Sequence, residues 1–383
     1  MDKKIKTGLL IGLMIIMLLP LAQKNLPFLR SADLYGYYDA APGADFSLHE
    51  WWSGNYGEEM NKYFNDHVGY RPDLVRVQRQ IEYSLFDKLH FYPDMVGPDK
   101  ILWDCSYADA YLGTDYVGYE AMQKTLVRLK RIQDTLAKKN VAFVMIDAPC
   151  KGYFYPDKFP PHLANVPKQM SNLDACIHIC DSLGIHQVDF NGWFVSLKDK
   201  TPHLLYPRLG THWSVYGAAL AADSIVRYME QLMHIRMPHP VIDKVTTQQK
   251  PEYTDDDLCK PLNLIFPFST ETYSYPHISY TTEAGTKKPN VVYIGDSFFC
   301  QWMYLCIPDN INDDWEYWNY FKGVTNRTYT YGRTDGPRVK DINWVEKIER
   351  TDCVVLIYTA RGLPNFGKEF VDHAYEHYFP NDK

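Results

Sequence analysis

The chain has 383 residues, enough for one large or two modest domains, with a formal net charge of −7 and 15% aromatic residues, including 30 tyrosines. The acidic balance, with no basic run in the body of the chain, argues against a nucleic-acid partner. The aromatic content suits an extended sugar surface and equally suits a core, so it selects neither.

At the N-terminus Lys3, Lys4 and Lys6 precede an apolar run from Gly8 to Ala22. Two readings are open, an uncleaved signal anchor over residues 1–23 and a cleaved signal peptide; Leu21-Ala22-Gln23 is a poor cleavage site and favours the anchor. The lysines ahead of the run then predict a single-pass protein of the inner (cytoplasmic) membrane with its bulk periplasmic, or at least extracytoplasmic. Residues 24–50 lack periodicity and read as a linker, and residues 51–383 as one domain. A helix is expected over 72–88, where Leu74, Val75, Val77, Ile81, Leu85 and Phe86 recur at helical spacing. His67, just before it, reads as a structural hydrogen-bond donor rather than a base. Met95 to Trp103 reads as a short hairpin around Gly97-Pro98.

From there helices and strands alternate. A helix over 118–138 leads to a buried strand at 141–147, and a helix over 168–183 to a strand at 186–190. A helix over 214–233 leads, after an excursion, to a strand at 290–295, and 352–358 is the last strand. This alternation predicts an α/β fold with a doubly wound, mostly parallel sheet. The excursion at 234–289, rich in His, Pro, Thr and Tyr, reads as an insertion that lines a substrate groove. The eight cysteines form no metal pattern, so no metal site is expected, and no Gly-rich phosphate loop follows a strand, so no cofactor is expected.

Two motifs carry chemistry. Val291-Val292-Tyr293-Ile294 is a buried strand ended by Gly295-Asp296-Ser297, and a serine at the carboxyl end of a parallel strand stands where open α/β sheets hold their ligands. Thr211-His212-Trp213-Ser214 places a histidine in a loop just before a helix. A serine hydroxyl needs an adjacent base, and His212 is the best placed candidate for Ser297. A histidine base is usually held in one tautomer by a carboxylate, yet the position two residues before His212 is Gly210. Arg361, Lys151, Trp213 and Asp296 are further candidates for contact with substrate. Arg361 and Lys151 each follow a strand at its carboxyl end; Trp213 can stack on a sugar or wedge the histidine loop against the core.

The chain resembles the alginate O-acetyltransferase family of SGNH-hydrolase-like proteins. The resemblance rests on Phe64-Asn65-Asp66-His67-x-Gly69-x-Arg71, Gly97 to Trp103, Ala148-Pro149-Cys150-Lys151 with Tyr155-Pro156-Asp157-Lys158, Thr211-His212-Trp213, Asp257-Leu258, Gly295-Asp296-Ser297-Phe298, and Val354 to Leu363 with Arg361. It implies an SGNH-hydrolase-like fold and O-acetylation of an extracytoplasmic polysaccharide, with Ser297 as nucleophile and His212 as base. It also implies a membrane-bound O-acyltransferase partner that supplies acetyl groups. The family carries Asp-x-His-Trp where this chain has Gly210-Thr211-His212-Trp213. Asp189 or Asp199 could replace the missing acid, a backbone carbonyl could orient the ring, or activity could be lost. A carbohydrate acetyl-esterase using the same residues, and a non-catalytic polysaccharide-binding or assembly protein, are the alternative functions. If the triad simply lacks its acid, a Gly210→Asp substitution is expected to raise activity.

Overall fold

Runs of β-branched and aliphatic residues too continuous for a half-exposed strand form the middle strands of the main sheet. The strands, in chain order, are β1 (Ala142–Ala148), β2 (Gln187–Asp189), β3 (His239–Gln248), β4 (Tyr273–Thr281), β5 (Val291–Gly295), β6 (Trp315–Asn319), β7 (Gly323–Thr325) and β8 (Cys353–Thr359). The computed structural model describes residues 3–26, 31–36, 39–86, 88–89, 95–267, 271–328 and 336–382. Six strands make one sheet in the order β2-β1-β8-β5-β6-β7, with every neighbouring pair parallel except β6 and β7. All residues of β5 and β8, and all but the first of β1, are buried. That pattern requires cover on both faces, as the crossover helices of parallel strands supply. The last strand in sequence therefore sits at the centre, between β1 and β5, and gathers three carboxyl ends at one edge.

The helix Tyr119–Ala137 buries Met122, Leu126, Leu129, Ile132 and Leu136, and it packs with the helices Asn172–Leu183 and Phe370–Tyr378. The helix Val215–Met233 is capped by Ser214, whose side chain accepts from the Gly217 N–H. It packs against the helix Cys300–Tyr304 and against a separate antiparallel ribbon of β3 and β4. That ribbon occupies the excursion at 234–289. The β6–β7 hairpin is an element that the sequence reading lacks: Glu316 and Asn319 interrupt its apolar pattern, and its strands have only five and three residues.

The chain divides into two compact units, Met1–Pro93 with Cys259–Phe268, and Asp94–Leu258 with Ser269–Lys383. The first unit contains the helices Lys3–Asn25, Leu48–Ser53, Asn55–His67 and Arg71–Phe86. His67 ends the third of these, its Nδ1 bonded to the Tyr63 carbonyl at 2.8 Å and its ring stacked on Tyr63. Within the same unit Arg79 donates to the Pro261 and Leu262 carbonyls.

Among the described residues no helix is long and apolar enough to cross a membrane. This corrects the expected single-pass anchor over residues 1–23 and the inner-membrane location drawn from it. The helix Lys3–Asn25 begins on lysines, contains Pro20 and closes on Gln23, Lys24 and Asn25. Its apolar stretch from Gly8 to Ala22 covers only about 22 Å at the helical rise of about 1.5 Å per residue. A bilayer core is about 30 Å thick.

Candidate active site

The turn that carries Ser297 is built where β5 leaves the sheet. A Cβ on Gly295 would lie 1.7 Å from the Ile357 carbonyl oxygen, and its φ is +153°, so only glycine brings β5 this close to β8. The Asp296 N–H donates to that same Ile357 carbonyl at 3.1 Å. The Asp296 carboxylate then holds the turn from inside. Its Oδ1 accepts from the Phe298 N–H at 3.1 Å, and its Oδ2 accepts from the N–H and hydroxyl of Thr359 at 2.8 and 3.0 Å. Burial raises its pKa, with the hydrogen bonds and the neighbouring His212 opposing that shift. Asp296 is thus a buried brace between the ends of β5 and β8 and does not offer its carboxylate to a substrate.

Ser297 opens the following short turn, and its Oγ lies 2.8 Å from His212 Nε2. The other ring nitrogen, Nδ1, lies 2.7 Å from Asp257 Oδ2. The second Asp257 oxygen accepts from the Thr211 N–H at 2.6 Å, so one carboxylate orients both the ring and the loop that carries it. A serine, a histidine and an aspartate therefore form one continuous hydrogen-bonded chain, with the acid 45 residues beyond the histidine. Asp189 and Asp199 do not take this place. Asp189 caps the helix Phe190–Leu197, accepting from the Asn191 and Gly192 N–H groups, and Asp199 is exposed.

The same geometry explains Gly210. A Cβ there would lie 2.7 Å from the Thr254 carbonyl oxygen and 2.9 Å from that of Asp255. The segment that brings in Asp257 crosses directly over Gly210, and its course is pinned by the Leu258 N–H donating to the Leu209 carbonyl at 3.1 Å. A side chain at 210 and an acid at 257 compete for one space. The expectation that Gly210→Asp would complete the triad is thereby reversed.

Lys151 lies beneath this loop and is fully buried. Its ammonium donates to the carbonyls of Arg208 at 2.8 Å and Gly210 at 2.7 Å. Burial pulls its pKa down to about 7, against the opposing pull of Glu271 and Asp257. Glu271, itself pushed up to about 7 by burial, accepts from the Arg208 N–H at 2.8 Å. Lys151 is a fastening for the histidine loop, not a surface contact for substrate. Trp213 is also fully buried, its indole N–H donating to the Phe298 carbonyl at 3.1 Å among Phe190, Phe194 and Trp302. It wedges the loop against the Ser297 turn and has no free face for a sugar. Arg361 follows β8 in the turn Ala360–Gly362 and is half-exposed. Its guanidinium is 3.4 Å from Asp104 and lies over the Tyr107 ring.

The family model for the SGNH hydrolase-like domain of the acetyltransferase AlgX matches residues 108–304, more than half of the chain. The chain belongs to the AlgX-type family of SGNH hydrolase-like acetyltransferases. No curated protein sequence matches it. Among solved structures, the O-acetyltransferase domain of Pseudomonas putida AlgJ is similar, with 13% identity, a TM-score of 0.47, and coverage of 74% of this chain and 98% of that one. Pseudomonas aeruginosa AlgX follows with 14% identity, a TM-score of 0.45 and coverage of 70% and 66%. Bacillus cereus PatB1 has 10% identity, a TM-score of 0.39 and coverage of 66% and 92%. The matched stretch of the AlgX-type family contains Lys151, His212, Asp257 and Ser297 and stops before Arg361. Of this hydrogen-bonded chain, Asp257 is the member that reading the sequence missed as an acid. Its signal was the run Asp255-Asp256-Asp257 ahead of Leu258, inside a segment already matched to the family.

Proposed function

We propose that this protein transfers an acetyl group to a polysaccharide hydroxyl through an acyl-enzyme on Ser297. The observation that carries the reading is the relay from Ser297 Oγ through His212 to Asp257, at 2.8 and 2.7 Å. With Nδ1–H donated to Asp257, the Nε2 lone pair faces the serine hydroxyl, which is the tautomer a base requires. His212 takes the serine proton as Oγ attacks the acetyl carbonyl carbon. The imidazolium then returns that proton to the departing group, leaving acetyl-Ser297. In the second half a sugar hydroxyl gives its proton to His212 and attacks the ester, and Oγ recovers the proton as it leaves.

The family places the chain among acetyltransferases, and the polysaccharide acceptor is our extension of that. In this reading a membrane-bound O-acyltransferase hands over the acetyl group, as the family resemblance implies. The test uses 4-nitrophenyl acetate with the purified chain, followed by addition of acceptor oligosaccharides. A burst of 4-nitrophenolate, an acetyl adduct on the Ser297 peptide and passage of that acetyl to sugar are expected, all absent in Ser297→Ala. An adduct that only water discharges would favour the esterase; a burst equal in Ser297→Ala would sink the mechanism.

A further inference from the structure

Asp257 reaches His212 from a loop, and a carboxylate on a loop orients a ring only if the loop is itself held. One end of its segment is fixed by the Leu258 N–H, which donates to the Leu209 carbonyl at 3.1 Å. The other end is Thr254, whose carbonyl accepts from the Asp257 N–H at 3.2 Å. That same carbonyl oxygen lies over Gly210, 2.7 Å from where a Cβ would stand. Where Thr254 sits, the turn carrying Asp257 follows.

The hold on Thr254 comes from the serine side of the site. Gln301 lies in the first turn of the helix Cys300–Tyr304, directly after the Ser297 turn, and the Cys300 N–H that joins the two donates to the Ser297 carbonyl. Its side chain is fully buried, and its Nε2 donates to the Thr254 hydroxyl. Its Oε1 has no partner among the described residues. A buried amide with one end unpaired costs stability that an aliphatic side chain of similar size would not. The bond to Thr254 is the one interaction that Leu or Met at 301 could not make.

We propose that Gln301 is a positioning residue for Asp257, acting through the Thr254 hydroxyl. The proposal rests on the acyl-enzyme reading. Ser297 and Asp257 are then joined by two routes. One runs through His212, at 2.8 and 2.7 Å, and the other through the helix start, Gln301 and Thr254. The second route sets the spacing of serine and acid without the imidazole between them, so Asp257 keeps its place while the ring gains and loses a proton. It is not the loop's only support. Asp255 accepts from the Tyr275 hydroxyl at 2.8 Å, and that hydroxyl accepts from the Glu252 N–H at 2.6 Å. Loss of the Gln301 bond therefore loosens Asp257 without releasing it.

Thr254→Val exchanges the hydroxyl for a methyl of similar size, and Thr254→Ser keeps it. With 4-nitrophenyl acetate, acylation per phosphonate-titratable Ser297 is expected to fall on the order of tenfold in Thr254→Val, with KM unchanged. Gln301→Met should fall by a similar factor, and the double variant by no more than either alone. Thr254→Ser should restore the rate. In an Asp257→Asn background Thr254→Val should cost nothing further, because no carboxylate is left to place. The proton resonance of His212 Nδ1–H, identified by its loss in Asp257→Asn, should move in Thr254→Val and return in Thr254→Ser. A Thr254→Val rate within about twofold of wild type would overturn the role of Gln301 and leave the acyl-enzyme standing. So would an equal loss in the Asp257→Asn background, since the effect would not then run through the acid. If the wild type shows no Ser297-dependent burst, the acyl-enzyme falls, and the resonance decides Gln301 without substrate: a shift in Thr254→Val supports its role, and an unmoved resonance overturns it.

Discussion

The Ser297 turn and the histidine loop meet at a 2.8 Å hydrogen bond, yet they are secured in different ways. The turn is fixed mainly by the two strands it lies between: Gly295 packs on Ile357, and Asp296 reaches Phe298 and Thr359. The histidine loop has no strand beneath it. It is held by single contacts from distant segments, with Lys151 on its carbonyls, Asp257 on Thr211 and His212, Glu271 on Arg208 and Trp213 in the core. Ser297 is set by local strand and turn geometry, whereas the position of His212 depends on several remote residues.

The sharpest way to break this comparison is at the acid. Asp257→Asn can still accept from the Thr211 N–H but favours the wrong imidazole tautomer. Its acylation rate is expected to fall by about four orders of magnitude, as in the serine-protease example, with the melting temperature little changed. A loss of less than tenfold would mean that Asp257 does not orient the base. Lys151→Met comes next. It deprives two loop carbonyls of their donor, and a loop displaced by about 1 Å reduces turnover about 10²-fold. Phosphonate labelling of Ser297 in this variant should slow in parallel; normal labelling would show that the loop stands without Lys151.

Gly210→Ala and Gly210→Asp follow, both pushing the Thr254–Asp255 backbone aside. Overpacking of this kind costs typically about 1–3 kcal/mol, so thermal denaturation should show both variants destabilised, and activity should fall in both. A rise in activity in Gly210→Asp alone would show instead that an acid at 210 is the better partner for His212.

The smallest effect is a pH slope from Asp255, which neighbours the acid and accepts from the Tyr275 hydroxyl at 2.8 Å. Burial pushes its pKa from 3.8 up to about 7. The folded state then binds more protons than the unfolded one between those values, so its contribution is present below about pH 4 and is lost as pH rises toward about 7. The melting temperature of Asp255→Asn relative to wild type should therefore rise across that interval. A difference that stays flat with pH would rule out a buried, titrating Asp255.

Much of the sheet was legible because its signals are local. The run Val291 to Ile294 and the stripe Met122, Leu126, Leu129, Ile132 and Leu136 need no partner to be recognised. Ser297 and His212 were legible for a related reason, each standing at the boundary of such an element. The β6–β7 hairpin was not, since its register comes from pairing with β5 rather than from its own alternation. The N-terminal helix taught the opposite lesson: lysines followed by an apolar run suggested an anchor, but the run is too short and is broken by Pro20.

By itself, then, the sequence determined where the parallel strands and their helices lie, and that a serine and a histidine stand at their ends. Only the tertiary structure decided which carboxylate completes the relay, why position 210 must be glycine, and that Lys151, Trp213 and Asp296 face inward. The physical reason is range. Hydrophobic periodicity and turn chemistry are properties of neighbouring residues, whereas a hydrogen bond between residues 45 apart exists only after the chain has closed on itself.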